Sequence, residues 1–515
     1  RHEQSAAHMA DGFGRVSRKP GVCFATSGPG ATNILTGLAT AQADSAPMIA
    51  VTGQVPVAMI GKDAFQESDI IGMANPVVKY SFQPRLPGEV PEAVRKGFYI
   101  AETGRPGPVL LDIPKDVQQN EAPMDFPDEF TIRGYHPWND PDLASVQKAV
   151  DMLVNSERPI ILAGGGTIIS SAFAELQSIA ETLMIPVVTT FKGKGAFPEN
   201  HPLSLGPIGM HGHAEANKMM AEADCVLAIG TRFSDRSVGT FEAFEKRLKI
   251  IHMDVDPAEI GKNQTTSIAV VGDVRASLRI MVKILLQRSL KKSEDSVWIK
   301  HVRETKAYWK ENLKIHPGEM GAAKILRKLR ELLPKESVVT TEVGQHQMWA
   351  SLFYDVIQPG TFFSSTGLGT MGWGFPASIG AKVARPDVPV VDIAGDGSFS
   401  MTENSLATAV LEDIPVIVFV LNNSTLGMVA QWQRTFYDRR MVGVDQGGCP
   451  DYVKLAESYG AQGIRAQSMD ELDKAIKSAL SSDVATVIDI PIDPEEDVLP
   501  FVAPGTSLSD MILPS

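Results

Sequence analysis

The stretch VVDIAGDGSFSMTENSLATAVLEDIPVIVFVLNNSTLGMVAQWQ, residues 390–433, decides how the rest of the chain is read. Two apolar runs, Val388 to Ala394 and Pro415 to Leu421, end abruptly in Gly395-Asp396-Gly397 and in Asn422-Asn423. Apolar runs without polar alternation are the pattern of parallel strands buried on both faces. The 24 residues between Gly397 and Asn422 leave room for one helix and one strand. If the two strands are neighbours, the Asp396 carboxylate and the Asn423 amide oxygen meet in the crevice at their carboxyl ends. Hard oxygen ligands in so small a number suit Mg²⁺, which completes its octahedron with phosphate oxygens and water. The glycines would let the backbone approach a phosphate, and a helix expected to start near Thr402 would add amides and a positive dipole end.

The same pattern recurs outward. GVCFATSGPGATN, MIAVTGQ, GPVLLDIP, PIILAGGG, DCVLAIGTRF, KIIHMDVD, SVVTTEVG and TFFSSTGLG are short apolar runs that end in Gly, Ser, Thr or Asp and lead into helix-like segments. Such alternation predicts an α/β protein of doubly wound parallel sheets. Two places break it. The Pro- and acid-rich segment 118–142 reads as a linker, and 287–317, with both charges at helical spacing, reads as a solvated connecting helix. Three units result, at residues 1–117, 143–286 and 318–515. The length of 515 residues, at roughly 150 per domain, agrees.

A net charge of −13 argues against nucleic acid or an anionic membrane as partner, because the long-range field repels phosphates. Cys23, Cys225 and Cys449 are few and widely spaced, as in a reducing compartment. No apolar run nears the roughly 20 residues that span a bilayer. The sequence opens at Arg1 without a start methionine, so a natural beginning upstream is expected; the location expected for a prokaryotic protein is the cytoplasm.

GLGTMG, Gly367 to Gly372, imitates a dinucleotide fingerprint, with Asp392 following 20 residues after Gly372. Pro376 falls where that helix should already be running, and the acid runs directly into Gly395-Asp396-Gly397. The dinucleotide reading of this segment is therefore disfavoured.

GDG, 24 residues and NN together resemble the thiamine diphosphate signature of the decarboxylase and carboligase superfamily. RHEQSAAHMADGFGR, TSGPGATN, DAFQESDI, RPGPVLLDIPKDVQ, EVGQHQMWA, GLGTMGWGFPASIGA, LGMVAQWQ and VLPFVAPG extend the resemblance, over nearly the whole chain, to the acetohydroxyacid synthase (acetolactate synthase) family. That resemblance implies three domains, pyrimidine-binding, central FAD-binding and diphosphate-binding. It also implies thiamine diphosphate, Mg²⁺ and FAD as cofactors, with condensation of two 2-oxo acids and loss of carbon dioxide. Glu3 would be the catalytic residue that hydrogen-bonds the pyrimidine ring nitrogen, so that the exocyclic amine becomes the base, a role that needs a raised pKa. Val343, Gly344, Gln345 and His346 would meet the diphosphate, with Gly369 and Met371 beneath the cofactor. Gly395, Asp396, Gly397, Ser398 and Met401 would surround it from one strand end, and Asn423, Gly427 and Met428 from the next. Mg²⁺ would take Asp396, Asn423 and the Thr425 carbonyl; His346 is a poor candidate, since Mg²⁺ prefers oxygen.

In the middle unit the resemblance implies flavin contacts at Gly164, Gly165 and Gly166, at Gly209, Met210 and His211, and at Gly230, Thr231, Arg232, Asp235 and Arg236. Asp254, Val255, Asp273 and Val274 complete that set, while Ser234 stands where the family usually has an acid. A 2-oxo acid acceptor would be bound by Arg236, through its carboxylate, and by Phe65, Gln66 and Trp432. Pyruvate and 2-oxobutanoate are the implied substrates, and shared active sites imply a homodimer or tetramer, with a small regulatory subunit as a further partner. Three alternatives stay open: a pyruvate oxidase, an FAD-free catabolic acetolactate synthase, and a non-catalytic nucleotide-binding protein.

Overall fold

The computed structural model describes residues 1–123, 125–127, 129–137, 140–239, 248–313, 318–448 and 450–514. Cys449 and the end of the segment read as a connecting helix, residues 314–317, lie outside them. The chain forms two compact units. The first comprises Arg1–Pro137, Ser337–Gln347 and Phe363–Pro494; the second comprises Trp138–Glu336, Met348–Phe362 and Glu495–Ser515.

The first unit holds two sheets. Strands β1 (Gly21–Ala25), β2 (Met48–Gln54), β3 (Tyr80–Phe82) and β4 (Pro108–Pro114) form a parallel sheet in the order β1-β2-β4-β3. The second unit's strands are β5 (Pro159–Ala163), β6 (Val187–Thr189), β7 (Ser204–Pro207), β8 (Cys225–Ile229), β9 (Lys249–Asp254) and β10 (Ile268–Val271). All pair in parallel in the order β10-β9-β8-β5-β6-β7. The remaining sheet of the first unit runs β12-β11-β13-β14-β16-β15. Its strands are β11 (Val338–Thr341), β12 (Phe362–Ser364), β13 (Val390–Gly395), β14 (Ile417–Asn422), β15 (Gln462–Arg465) and β16 (Thr486–Pro491).

Every residue of β5, β8, β11 and β13 is buried, which is why these strands carry Val, Ile, Leu, Ala and Thr without alternation. In the first unit, helix Glu3–Ser17 packs against helix Gly374–Ala384 at backbone distance. A Cβ on Gly12 would come within 2.2 Å of the Ala377 carbonyl, and one on Gly380 within 1.9 Å of that of Met9, so small residues are obligatory at this crossing.

Helix Val297–Asn312 is not solvated all round. Trp298, Ile299, Val302 and Thr305 are buried, and the Trp298 indole donates to the Pro159 carbonyl at 2.9 Å. Mixed charge at helical spacing describes its outer face, and the apolar stripe that fixes it to the core lies between those charges. The decoy fingerprint is also explained. Its helix starts at Gly374, leaving Pro376 in the first turn, where a missing N–H costs nothing. Asp392 is fully buried inside β13, where it accepts from Thr340 Oγ1 at 2.9 Å.

Candidate active site

Strands β13 and β14 are parallel neighbours with Gly395 opposite Leu421, so Asp396 and Asn423 leave adjacent strand ends on the same side. A short helix, Asp396–Phe399, begins directly at the strand end with Gly395 as its cap, and the helix expected near Thr402 follows it, as a turn Glu403–Ser405 capped by Thr402 that runs into helix Leu406–Leu411. A glycine between strand and helix lets the chain turn at once. Asp396 is buried, and burial pushes its carboxyl up to about 6 against the pull of backbone N–H groups from Gly397, Thr425 and Ser424. Those donors place its carboxylate beside the turn that carries Asn423 and Thr425.

Asn423 donates through Nδ2 to Gln345 Oε1 at 3.3 Å, and its Oδ1 accepts the Thr425 N–H at 3.1 Å. Gln345 in turn donates to Gln431 at 2.9 Å. Gly427 makes this convergence possible: a Cβ there would stand 2.0 Å from Gln345 Oε1 and 2.7 Å from Asn423 Nδ2. One carboxylate, one amide oxygen and nearby carbonyls fit Mg²⁺. Among the described residues no group of three His, Cys, Asp or Glu side chains forms a metal cluster of another kind.

The end of β11 lies at the strand-order reversal of this sheet, because the chain leaves it for β12 on one side and β13 on the other. Val343 to His346 follow it. His346 is buried with no partner at Nε2, and burial pushes its imidazole down to about 3. The turn with Met371 lies against Met401 and Thr402: Gly372 has φ 80° and would bring a Cβ within 3.0 Å of the Met401 Cβ. Gly369 is exposed with φ 72°, and Met428 is half-buried in helix Gly427–Phe436.

Glu3 sits in the first turn of its helix and accepts from Asn33 Nδ2 at 3.0 Å. That bond, first among several influences, holds its carboxyl below the usual range. The raised pKa expected for this residue is therefore not a property of this chain by itself, because the surroundings are polar and half-open. Phe65 is 89% exposed, and Gln66, at φ 61°, packs against the Gly28 turn. Trp432 is half-buried beside Phe436, with ring centroids 5.7 Å apart.

The second unit has the strand order of a dinucleotide-binding sheet, with the reversal between β5 and β8. Gly164, Gly165 and Gly166 leave β5 there, and Gly230, Thr231 and Arg232 leave β8. A Cβ on Gly164 would meet the Gly230 carbonyl at 2.3 Å, and one on Gly166 the Gly230 Cα at 2.7 Å. Met210 lies by Arg236, which donates to its sulfur at 3.0 Å, and His211 stacks on Phe501. Burial and the Arg236 charge push His211 down to about 3. Asp235 and Arg236 are exposed, Asp254 ends β9 ahead of Val255, and Asp273 caps the helix that starts at Val274. These residues fit a flavin dinucleotide.

Sequence reasoning passed over two groups that the fold puts at the site. Glu342, in the quoted EVGQ, is fully buried and accepts from the Gly372 and Phe375 N–H groups and from Ser398 Oγ. An acid directly after an apolar strand was its signal, the same as for Asp396. Arg15 forms a buried ion cluster with Asp11 and Asp44 and lies over the Trp373 ring. Asp11 accepts the Trp373 indole N–H at 2.7 Å, and Asp44 accepts the Thr366 and Gly367 N–H groups. Only the i, i+4 spacing of Asp11 and Arg15 was visible in advance.

Three family models match the chain, all of thiamine pyrophosphate enzymes: the N-terminal TPP binding domain over residues 1–73, the central domain over 146–281 and the C-terminal TPP binding domain over 342–490. Together with the parallel sheets and strand-end glycines, they define a thiamine pyrophosphate enzyme. A probable acetolactate synthase large subunit of Methanocaldococcus jannaschii is 47% identical over 523 residues, covering 100% of this chain and 88% of that protein. The acetolactate synthase large subunits of Parasynechococcus marenigrum and Corynebacterium glutamicum are 44% and 41% identical, over 100% and 99% of this chain and 84% and 83% of theirs. The chain belongs to the acetolactate synthase large-subunit family. No helix among the described residues is long and apolar enough to cross a membrane.

Proposed function

We propose that the protein condenses pyruvate with a second 2-oxo acid, releasing carbon dioxide and giving 2-acetolactate or, with 2-oxobutanoate, 2-aceto-2-hydroxybutanoate. The observation that carries this reading is the meeting of Asp396 and Asn423 at the ends of neighbouring parallel strands. When bound, thiamine diphosphate supplies the electron sink for decarboxylation. Asp396, Asn423 and the Thr425 carbonyl would hold Mg²⁺, which would neutralise phosphate charge there. Glu3 holds a proton at the pyrimidine ring once a second chain covers it and raises its pKa. Arg236 pairs with the acceptor carboxylate, and Trp432 with Phe65 and Gln66 forms the acceptor wall.

FAD binds at the β5/β8 reversal as a structural cofactor. The domains are 1–117, 143–286 and 318–515, and the working assembly is a homodimer or tetramer with a small regulatory subunit, cytoplasmic if the source is a prokaryote. The test supplies thiamine diphosphate, Mg²⁺, FAD, pyruvate and 2-oxobutanoate and identifies products by mass spectrometry. The two acetohydroxy acids are expected. Acetate or acetyl phosphate with peroxide would overturn the reading.

A further inference from the structure

Beneath the Met371 turn lie two buried carboxyls on neighbouring strands: Glu342 at the end of β11 and Asp392 within β13, both fully enclosed. Their surroundings differ sharply. Glu342 Oε2 accepts from the Gly372 N–H at 2.7 Å and from Ser398 Oγ at 2.7 Å, and Oε1 accepts from the Phe375 N–H at 2.9 Å. The Gly374 N–H also points at this carboxylate, so it faces the open amino end of helix Gly374–Ala384. Asp392 has one partner, Thr340 Oγ1, and its Oδ2 has none. Among the described residues no cation pairs with either of these buried acids. Burial raises both carboxyls above the usual range; at Glu342 the donors of Phe375, Ser398, Gly374 and Gly372 oppose it, whereas at Asp392 the charge of Glu342 adds to it and drives that carboxyl well above. Two unscreened anions so close would each disfavour the other, and donors decide which keeps its charge.

We propose that Glu342 carries the single negative charge of this buried pair and is a positioning residue, pinning the Gly372–Phe375 segment, which directly follows Met371, to Ser398 beside the proposed Mg²⁺ site, while Asp392 stays neutral. The inference deepens the thiamine diphosphate reading and rests on it. The geometry has a direct consequence for the two isosteric amides. In Glu342→Gln an NH₂ group replaces one acceptor oxygen and faces N–H donors, so the turn must move. In Asp392→Asn a neutral amide replaces a neutral acid, and the turn stays.

The test titrates thiamine diphosphate with Mg²⁺ into the full-length protein and into each variant, following Trp fluorescence, with thermal unfolding of the cofactor-free proteins alongside. Infrared spectra record the carbonyl band of a protonated buried carboxyl. Glu342→Gln is expected to weaken cofactor binding about tenfold or more, and Asp392→Asn by less than about threefold. The protonated-carboxyl band should vanish in Asp392→Asn. Equal weakening by the two amides, the reverse order, or a band that survives in Asp392→Asn overturns the proposal. A wild-type protein that does not bind thiamine diphosphate overturns the underlying reading instead, and with it the positioning role. If Glu342→Gln does not fold, the Asp392→Asn binding constant and infrared band still decide the matter.

Discussion

Asp396 shows how one side chain can oppose stability and serve binding. Its carboxylate is desolvated between two strand ends, and the nearby backbone N–H groups offset only part of that cost. Replacing it with Asn removes a charge from a buried place without changing shape. Asp396→Asn should therefore leave the metal-free protein at least as stable as wild type, while Mg²⁺-dependent binding of thiamine diphosphate falls about a hundredfold or more. Calorimetric titration and a thermal melt on the same sample check both halves. Glu342 shows the opposite balance, since its donors are numerous and its role lies in holding backbone. From sequence the two acids looked alike, each following an apolar strand. Whether such an acid points into the crevice or back under a neighbouring turn depends on which segments pack there, and local sequence does not carry that information.

Elements explain what the residue scale leaves open. The Gly and Ala content of helix Glu3–Ser17 acquires a meaning only at the crossing with Gly374–Ala384. His8 on that helix is fully buried, and burial, with a further push from Arg15, lowers its pKa to about 3. The folded state thus refuses a proton that the unfolded chain accepts below its ordinary value near 6.5. Since the unfolded state binds more protons in that window, stability is lost as pH falls from about 6.5, by up to about 1.4 kcal/mol per unit. Urea unfolding at pH 7.5 and 5.5 should show this loss, and His8→Gln should reduce it by about 1 kcal/mol. The helix expected to start near Thr402 is present, as the turn Glu403–Ser405 and the helix Leu406–Leu411, but a further turn precedes it. That turn, Asp396–Phe399, follows the strand at once because Gly395 can bend the chain immediately, a freedom no propensity count weighs against the polar residues that follow.

At the scale of the whole molecule, Glu3 and the Asp396 site make different demands. Glu3 is partly open and polar in its own chain, and its proposed role needs an apolar cover. The proposed site, assembled from two copies, would supply one. Co-expressing Glu3→Gln chains with Asp396→Asn chains should then restore product formation that neither variant has alone, because each mixed dimer contains one intact pairing of Glu3 with Asp396. An absence of restoration in a verified mixed dimer would place both residues in one chain's site.

The order of apolar strands and the residues at their ends were written in the sequence by itself, because a parallel strand buried on both faces leaves no choice of composition and its end is where polar groups can return. That was enough for the α/β class and for Asp396 beside Asn423, whereas the glycines of the middle unit entered only through the family resemblance. Only the tertiary structure decided that Trp298 joins the central core, that Asp392 lies inside a sheet, and that Glu342, Asp11, Arg15 and Asp44 brace the loops of the site. Those are long-range relations between residues up to 362 positions apart, as for Trp373 and Asp11. Polar groups carry no periodicity that announces a distant partner, and burial, which makes the partner obligatory, exists only once the chain has folded.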